Sequence, residues 1–431
     1  MTAIVAALTL AVILWSLLAW RKAAAWFVAL SPLWYAPFLF LPDAYGEQWA
    51  SLRAGKDWVS AGLLATWIVT VIRRGSLVWV TDACAILAGL FVLIGSLRLA
   101  TLDAGQAVTV ARIFVLAPLW FFAGRDLFVD DASTWQNLRR WAVVGAVVSL
   151  VAVVEYALGG SDNIFSRASG QVRAISTLFN PNALGWYLVW ANGLLLGWTL
   201  RARADGEGRL PAQVAIGGWV LNAVAIGLSG SRSAFAIAVA TLGVWFMLTS
   251  RRVVAAAALS AMSVGAVVAW FVVILPRLDE LRLFSGSDTL RWAIYTEAAA
   301  NFVRADPVQV LVGFDAALLE TFDAAGIFDD SFWVALVGYG GAVALLLLAV
   351  LVVLTVVAGV TARDRSPRAP FLFAAVAFAV LGMLGNVQAI FPHGMLFWVS
   401  LGLASRPDRR RVGPSDAPES RRPNVLVSSP P

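Results

Sequence analysis

Residues 276–331 read PRLDELRLFSGSDTLRWAIYTEAAANFVRADPVQVLVGFDAALLETFDAAGIFDDS, and this stretch decides how the rest of the chain must fold. Ten of the chain's 26 acidic residues fall within it, opposed by Arg277, Arg282, Arg291 and Arg304. So charged a segment cannot lie in hydrocarbon, so it reads as an aqueous excursion between membrane spans. Connections of this length inside a compact protein are uncommon and usually carry function.

Outward from this stretch the chain is apolar. It is 60% hydrophobic and 13% charged, where a soluble domain is about a quarter charged, so the composition is that of a polytopic membrane protein. Apolar runs are centred in 2–20, 23–41, 58–72, 77–97, 108–123, 141–158, 182–200, 211–229, 233–249, 253–275, 332–360 and 371–390. A shorter run, 394–404, follows the breaker Pro392-His393-Gly394. These lengths suit membrane helices, not the alternating short strands of an outer-membrane barrel. The expected fold is therefore all-α: a transmembrane helix bundle of about 12 spans, with one long outward loop that contains short helices. Four regions follow: helices over 1–275, the loop over 276–331, helices again over 332–404, and a disordered, basic, Pro- and Ser-rich tail over 405–431. Residues 371–404 read either as two short spans or as one span beside a broken, partly re-entrant helix, and a cytoplasmic tail needs the former.

Orientation follows from lysine and arginine. Arg21-Lys22, Arg73-Arg74, Arg125, Arg139-Arg140, Arg201/Arg203/Arg209, Arg251-Arg252 and Arg363/Arg365/Arg368 fall in alternate loops and form the cytoplasmic set. The opposite set holds Arg53/Lys56, Arg98/Arg112, residues 159–181, the Gly230–Ser233 turn and the long loop, which places the loop and the N-terminus outside. The formal charge of +6 is thus a topology signal and not a sign of nucleic-acid affinity. One cysteine, Cys84, excludes an internal disulfide, and one histidine, His393, excludes a histidine-cluster metal site. No Walker A sequence, GxGxxG or His-Glu-x-x-His is present.

Three outward places could hold chemistry. In the first, Arg173 precedes Asn180-Pro181-Asn182, a turn and helix start whose plainest reading is a capped helix. The second is Leu228-Ser229-Gly230-Ser231-Arg232-Ser233, a very short turn between two apolar runs. There Arg232 either snorkels to the interface or grips a phosphate with its planar fork of donors. The third is the long loop, where Ser287 or Asp288 caps an expected helix running to about Arg304 and stopped at Asp306-Pro307. Arg291 and Tyr295, four apart, share one face of it. A second short helix should end at Gly326, after which Asp329-Asp330 opens the next span. Asp329 and Asp330 are good helix caps in their own right, and that position lowers a carboxylate's pKa. Glu155 lies near the outward end of its span, whereas Asp82 lies toward the other end as a packing or edge residue.

Taken in order, these stretches resemble the O-antigen ligase and O-antigen polymerase family of bacterial polytopic membrane proteins. The resemblance is carried by Phe179-Asn180-Pro181-Asn182-Ala183, Leu228 through Arg232, Leu290 through Tyr295, Pro307 through Phe314, and Asp329 through Trp333, across roughly 170–340. It implies transfer of glycans from a polyprenyl-diphosphate-linked donor to a glycan or lipid acceptor, at the outer face of the cytoplasmic (inner) membrane and without a cofactor or metal. Arg232 and Arg291 would engage the diphosphate, with Arg173 and Tyr295 assisting. Asp330, Asp329 and Glu155 are the candidate bases, in that order. Family ligases usually carry a histidine where Asp329-Asp330 stands here, which leans the reading toward a polymerase. A flippase and a chain-length regulator are possible partners, alongside membrane lipids. The alternatives are a lipid-linked oligosaccharide or polysaccharide flippase, and a non-catalytic scaffold of a glycan-assembly complex.

Overall fold

A computed structural model describes residues 2–36, 47–74, 82–128, 130–158, 173–178, 180–204, 209–249, 296, 299–300, 302–324, 331–360, 368–383 and 390–406. Among them there is no strand. The described elements are helical, as the lengths of the apolar runs lead one to expect. The helices are α1 (Thr2–Leu30), α2 (Glu47–Arg74), α3 (Ala83–Leu99), α4 (Ala104–Leu127), α5 (Asp131–Ala157), α6 (Pro181–Ala204), α7 (Arg209–Ser229) and α8 (Arg232–Thr249). Beyond them lie the short α9 (Pro307–Val312) and α10 (Ala316–Ala324), then α11 (Phe332–Val360), α12 (Arg368–Met383) and α13 (His393–Ala404).

Among the described residues four helices are long and apolar enough to cross a membrane: Ala6–Leu33, Ala104–Leu127, Asp131–Ala157 and Phe332–Ala358. Shorter apolar helices cover Ala83–Leu99, Gln213–Ser229, Arg368–Gly382 and His393–Ala404. Their outward-pointing side chains are apolar: Val343, Leu346, Val350, Val353 and Val357 form an exposed stripe along α11 at helical spacing. Such a surface suits a hydrocarbon environment.

Helix ends are set by local chemistry. Asp82 accepts the backbone N–H of Ala85 at the start of α3, and Asp130 and Ser133 form a reciprocal capping box on α5. Asn180 accepts from Asn182 N (2.8 Å) and Ala183 N (3.1 Å), with Pro181 as the first residue of α6. Three helices are interrupted. Ala19 leaves helical geometry (φ −151°, ψ 59°) inside α1, so the first two apolar runs are joined by a sharp break and not by a loop. Residues 111–116 of α4 are wound as π-helix. Gly341 breaks α11 with φ +72°.

Polar contacts sort into two layers. In one, Arg21 (2.6 Å) and Arg74 (3.8 Å) pair with Asp126, Arg125 pairs with Asp82, and Arg125 also donates to the Ser405 carbonyl at the end of α13. In the other, Asp57 binds Lys56 (2.7 Å) and Arg112 (2.6 Å), and Arg98 donates to the Tyr339 carbonyl. The layers are spaced like the faces of a bilayer core. Asp82 and Arg98 stand about 24 Å apart along α3, and Lys56 and Arg74 about 27 Å along α2, at the α-helical rise per residue. Among the described residues these pairs keep to one layer and match the two sets read from lysine and arginine spacing.

Side-chain registers give helix directions. Ile13 faces Gly62, and Ser16 bonds Thr66 at 2.9 Å, so the first segment of α1 runs parallel to α2 and begins on the Lys56 side. His393 meets Ala183 and Trp190 meets Ser400, so α13 runs parallel to α6. Gly193 faces Ala374 and Gly197 faces Pro370, so α12 runs antiparallel to both. Arg368–Met383 and His393–Ala404 are therefore two short antiparallel helices. All of α13 is buried, seated backbone to backbone on α4 through Gly124 and Gly402.

Candidate functional site

The first two candidate places come together around the start of α6. Arg173 donates through Nε to the Ser229 carbonyl (2.7 Å) and through Nη2 to Asn182 Oδ1 (3.0 Å). The N–H of Ala174 meets the Leu228 carbonyl at 3.0 Å. The segment before Asn180-Pro181-Asn182 is thus tied by one guanidinium and one backbone bond to the turn before Arg232. The turn is tight: Gly230 has φ +64°, and a Cβ there would meet Arg173 Nε at 3.1 Å. Glycine supplies that backbone at no steric cost and leaves room for the arginine.

Glu155, at the end of α5, closes the cluster from the other side. Its carboxylate accepts the backbone N–H groups of Ser176 (2.7 Å) and Ile175 (3.1 Å), while Ser176 Oγ donates to the Val148 carbonyl (2.8 Å). Ser176 has φ +48°, an uncommon conformation for a non-glycine residue. A carboxylate holding two adjacent backbone N–H groups fixes that conformation. Through these bonds it anchors the Arg173–Leu178 segment.

The lone histidine reaches the same place from the far end of the chain. His393 is fully buried, with Nε2 at 2.9 Å from the Ala183 carbonyl in the first turn of α6, so Nε2 carries the proton in the neutral ring. Its ring lies edge-on to Trp186 at 6.2 Å, and Trp186 Nε1 donates to Ser233 Oγ at 3.1 Å. His393 and Trp186 therefore join the second candidate turn to α13, a link that spacing alone did not reveal. Pro392-His393-Gly394 was legible only as a breaker; contact across 210 residues of sequence leaves no local mark.

Asp82 lies in the opposite layer, capping α3 and pairing with Arg125, as an edge residue should. Deeper in the bundle, Ser149 Oγ donates to Asn222 Oδ1 (2.7 Å) and Asn222 Nδ2 to Asn192 Oδ1 (2.9 Å). This fully buried chain clamps α5, α6 and α7 together.

For the third place, Arg291, Tyr295, Asp329 and Asp330 lie outside the described residues, as do Ser287, Asp288 and Gly326; Arg232 is described by its backbone alone, as the first residue of α8. The described part of the long loop differs from expectation in one respect. Pro307 does not merely stop a helix; Asp306 accepts the N–H of Val308 (2.7 Å) and starts α9. Phe314 is fully buried between Phe302 (ring centroids 4.9 Å) and Phe322 (5.2 Å), so the charged loop carries its own small aromatic core. Among the described residues no group of three His, Cys, Asp or Glu side chains is placed to hold a metal ion. No family model, no curated protein and no solved structure matches the chain.

Proposed function

We propose that this chain is a membrane glycosyltransferase that polymerises glycan repeat units, or ligates finished chains, from a polyprenyl-diphosphate-linked donor. The site lies at the outer face of a bacterial cytoplasmic membrane crossed by about 12 spans, and polymerisation is favoured over ligation. The observation that carries this reading is the meeting of Arg173, the Asn180-Pro181-Asn182 helix start and the Ser229-Gly230-Ser231 turn. Two stretches singled out by resemblance, separate in sequence, are bridged by Arg173 at one edge of the apolar slab. That edge suits an amphiphilic donor, because its lipid stays in hydrocarbon while its diphosphate sits among fixed donors. In this reading α8 presents Arg232 from a turn rigidified by Arg173, and Arg291 is the second cation on the diphosphate. Two fixed cations stabilise the leaving group as it gains charge. Asp330 or Asp329 orients or deprotonates the acceptor hydroxyl, and Glu155 holds the Arg173 segment in place.

A flippase is the second reading, and the Ser149–Asn222–Asn192 chain within the bundle is the observation in its favour. Those groups bond one another, which is the behaviour of a helix clamp more than of a transport path. Mass spectrometry of polyprenyl-linked glycans, from cells with the gene intact, deleted or carrying Arg291→Ala, decides between the readings. Accumulated single repeat units mean a polymerase, and long chains stranded on the carrier mean a ligase. An unchanged lipid-linked pool in both altered strains sinks the enzyme reading.

A further inference from the structure

The break in α11 at Gly341 turns backbone carbonyls toward partners outside their own helix. In a low-dielectric setting each such carbonyl needs a donor. Gly338 O receives the N–H of Phe314 at 2.8 Å, and Tyr339 O receives Arg98 Nε at 2.9 Å. The same guanidinium donates through Nη2 to the carbonyl of Phe314, and through Nη1 to Thr101 Oγ1 at 3.1 Å. One arginine at the end of α3 thus joins the long loop at Phe314 to the broken helix that follows the loop. Its fork reaches two carbonyls that no single ammonium would span.

The surroundings are shaped for this contact. Gly313 has φ +104°, and a Cβ there would meet the Tyr339 carbonyl at 2.6 Å and Arg98 Nε at 3.2 Å. A Cβ at Gly341 would meet the Leu311 carbonyl at 2.1 Å. Both glycines let the loop backbone lie directly on α11. Gln106 adds a second tether, donating from α4 to the Ala316 carbonyl at 3.0 Å. Beyond this seam Phe302, Phe314 and Phe322 pack against one another within the loop.

We propose that Arg98 is a positioning residue for glycan transfer: it latches the long loop onto the membrane bundle and so sets where that loop stands relative to the Arg173–Arg232 edge. The proposal rests on the glycosyltransferase reading for its catalytic consequence, but the latch itself can be tested without it. Trypsin cleavage after Arg304, an exposed residue of the loop, is followed by mass spectrometry in the purified full-length protein. Arg98→Ala is expected to raise the cleavage rate about tenfold, the effect of losing hydrogen bonds to a charged donor, with Arg98→Lys in between. Transfer should fall about tenfold in Arg98→Ala, chiefly in kcat. A short bifunctional thiol crosslinker between Gln106→Cys and Ala316→Cys, in a Cys84→Ala background, should restore most of it. A role confined to stability would lower the folded fraction and leave kcat per folded molecule unchanged. Cleavage at the wild-type rate in Arg98→Ala overturns the latch whatever the chemistry, as does full transfer in that variant or failure of the crosslink to rescue. If the wild-type protein transfers no glycan, the enzyme reading fails and the proteolysis result alone judges the latch.

Discussion

Replacing Arg125 with alanine should loosen the bundle by a predictable amount, and the chain contains its own reporter. Arg125 is 2% exposed and holds three helices together. Its guanidinium pairs with Asp82 at the start of α3, and donates to the Ser405 carbonyl (2.9 Å) and hydroxyl (2.8 Å) at the end of α13. It also stacks over Phe121 of α4 at 4.5 Å. Breaking a fully buried ion pair by removing one partner costs about 3–5 kcal/mol. Here Asp82 keeps the Ala85 N–H and its side chain is 35% exposed, so water offsets part of the loss. The Ser405 hydroxyl keeps its bond to the Leu401 carbonyl. The net cost comes to about 2–4 kcal/mol, which lowers the midpoint of a chain this long by roughly 3–6 °C.

The assay uses Cys84, the sole thiol, buried two residues from Asp82. A dye that fluoresces on reacting with thiols reports the temperature at which α3 separates from its neighbours. Asp82→Asn should lower that midpoint less, because an amide oxygen still caps the helix. Combining it with Arg125→Ala should cost little more than Arg125→Ala alone, since both changes remove one interaction. A midpoint within about 1 °C of wild type for Arg125→Ala, or strictly additive shifts in the pair, refutes this reasoning.

The remaining predictions concern glycines, the candidate site and orientation. Gly402→Ala puts a Cβ 2.2 Å from the Phe121 carbonyl and should destabilise by about 1–3 kcal/mol or more in the same thermal assay. Gly217→Ala meets nothing within 4 Å on an exposed helical face and should be neutral or stabilising by up to about 1 kcal/mol. Gly230→Ala forces a side chain into φ +64° against Arg173, so donor turnover should fall at least about tenfold while the midpoint drops by no more than about 1–2 kcal/mol of stability allows. Equal activity in this variant removes Arg173 from the site. In a Cys84→Ala background, Ala104→Cys should react with an impermeant maleimide on intact cells, and Ala132→Cys only after permeabilisation. The reverse pattern inverts the orientation read from lysine and arginine.

What the sequence could and could not disclose follows from the range of each interaction. Asn180-Pro181-Asn182 was legible as a helix start because the cap that Asn180 makes lies within three residues of it. The two charge layers were legible because Arg74, Arg98 and Arg125 sit near the ends of their own helices. Arg173 was legible as a candidate, but its partner carbonyl at Ser229 is 56 residues away, and nothing local selects one carbonyl over another. The Ala19 break went unread for a related reason: Ala-Trp-Arg-Lys contains no proline or glycine, and the turn is held by neighbouring helices. Asp306-Pro307 was read as a stop and is also a start, since proline suits a first helical turn as well as it ends a preceding one. The burial of Phe314 was hidden by the charges around it, although Phe302, Phe314 and Phe322 were all in view.

Near one edge of the slab, three stretches of irregular backbone and one helix start, among the described residues, are met by charged or polar side chains from other parts of the chain. The Gly230 turn is met by Arg173, and the left-handed backbone at Ser176 by Glu155. The break at Gly341 is met by Arg98, and the first turn of α6 by His393. Helix interruptions at membrane depth are stable only where protein satisfies the freed backbone groups. Four such arrangements on one side, against the single Ala19 break and otherwise capped or paired helix ends on the other, mean that this edge trades more regular hydrogen bonding for polar side-chain contacts. A purely structural bundle has no need of that exchange, since unbroken helices would satisfy the same groups without charged partners. The cost is reasonable if the edge handles a ligand with one polar and one apolar end. That is the property a lipid-linked donor has, whereas in the Arg125 layer the charges already neutralise one another.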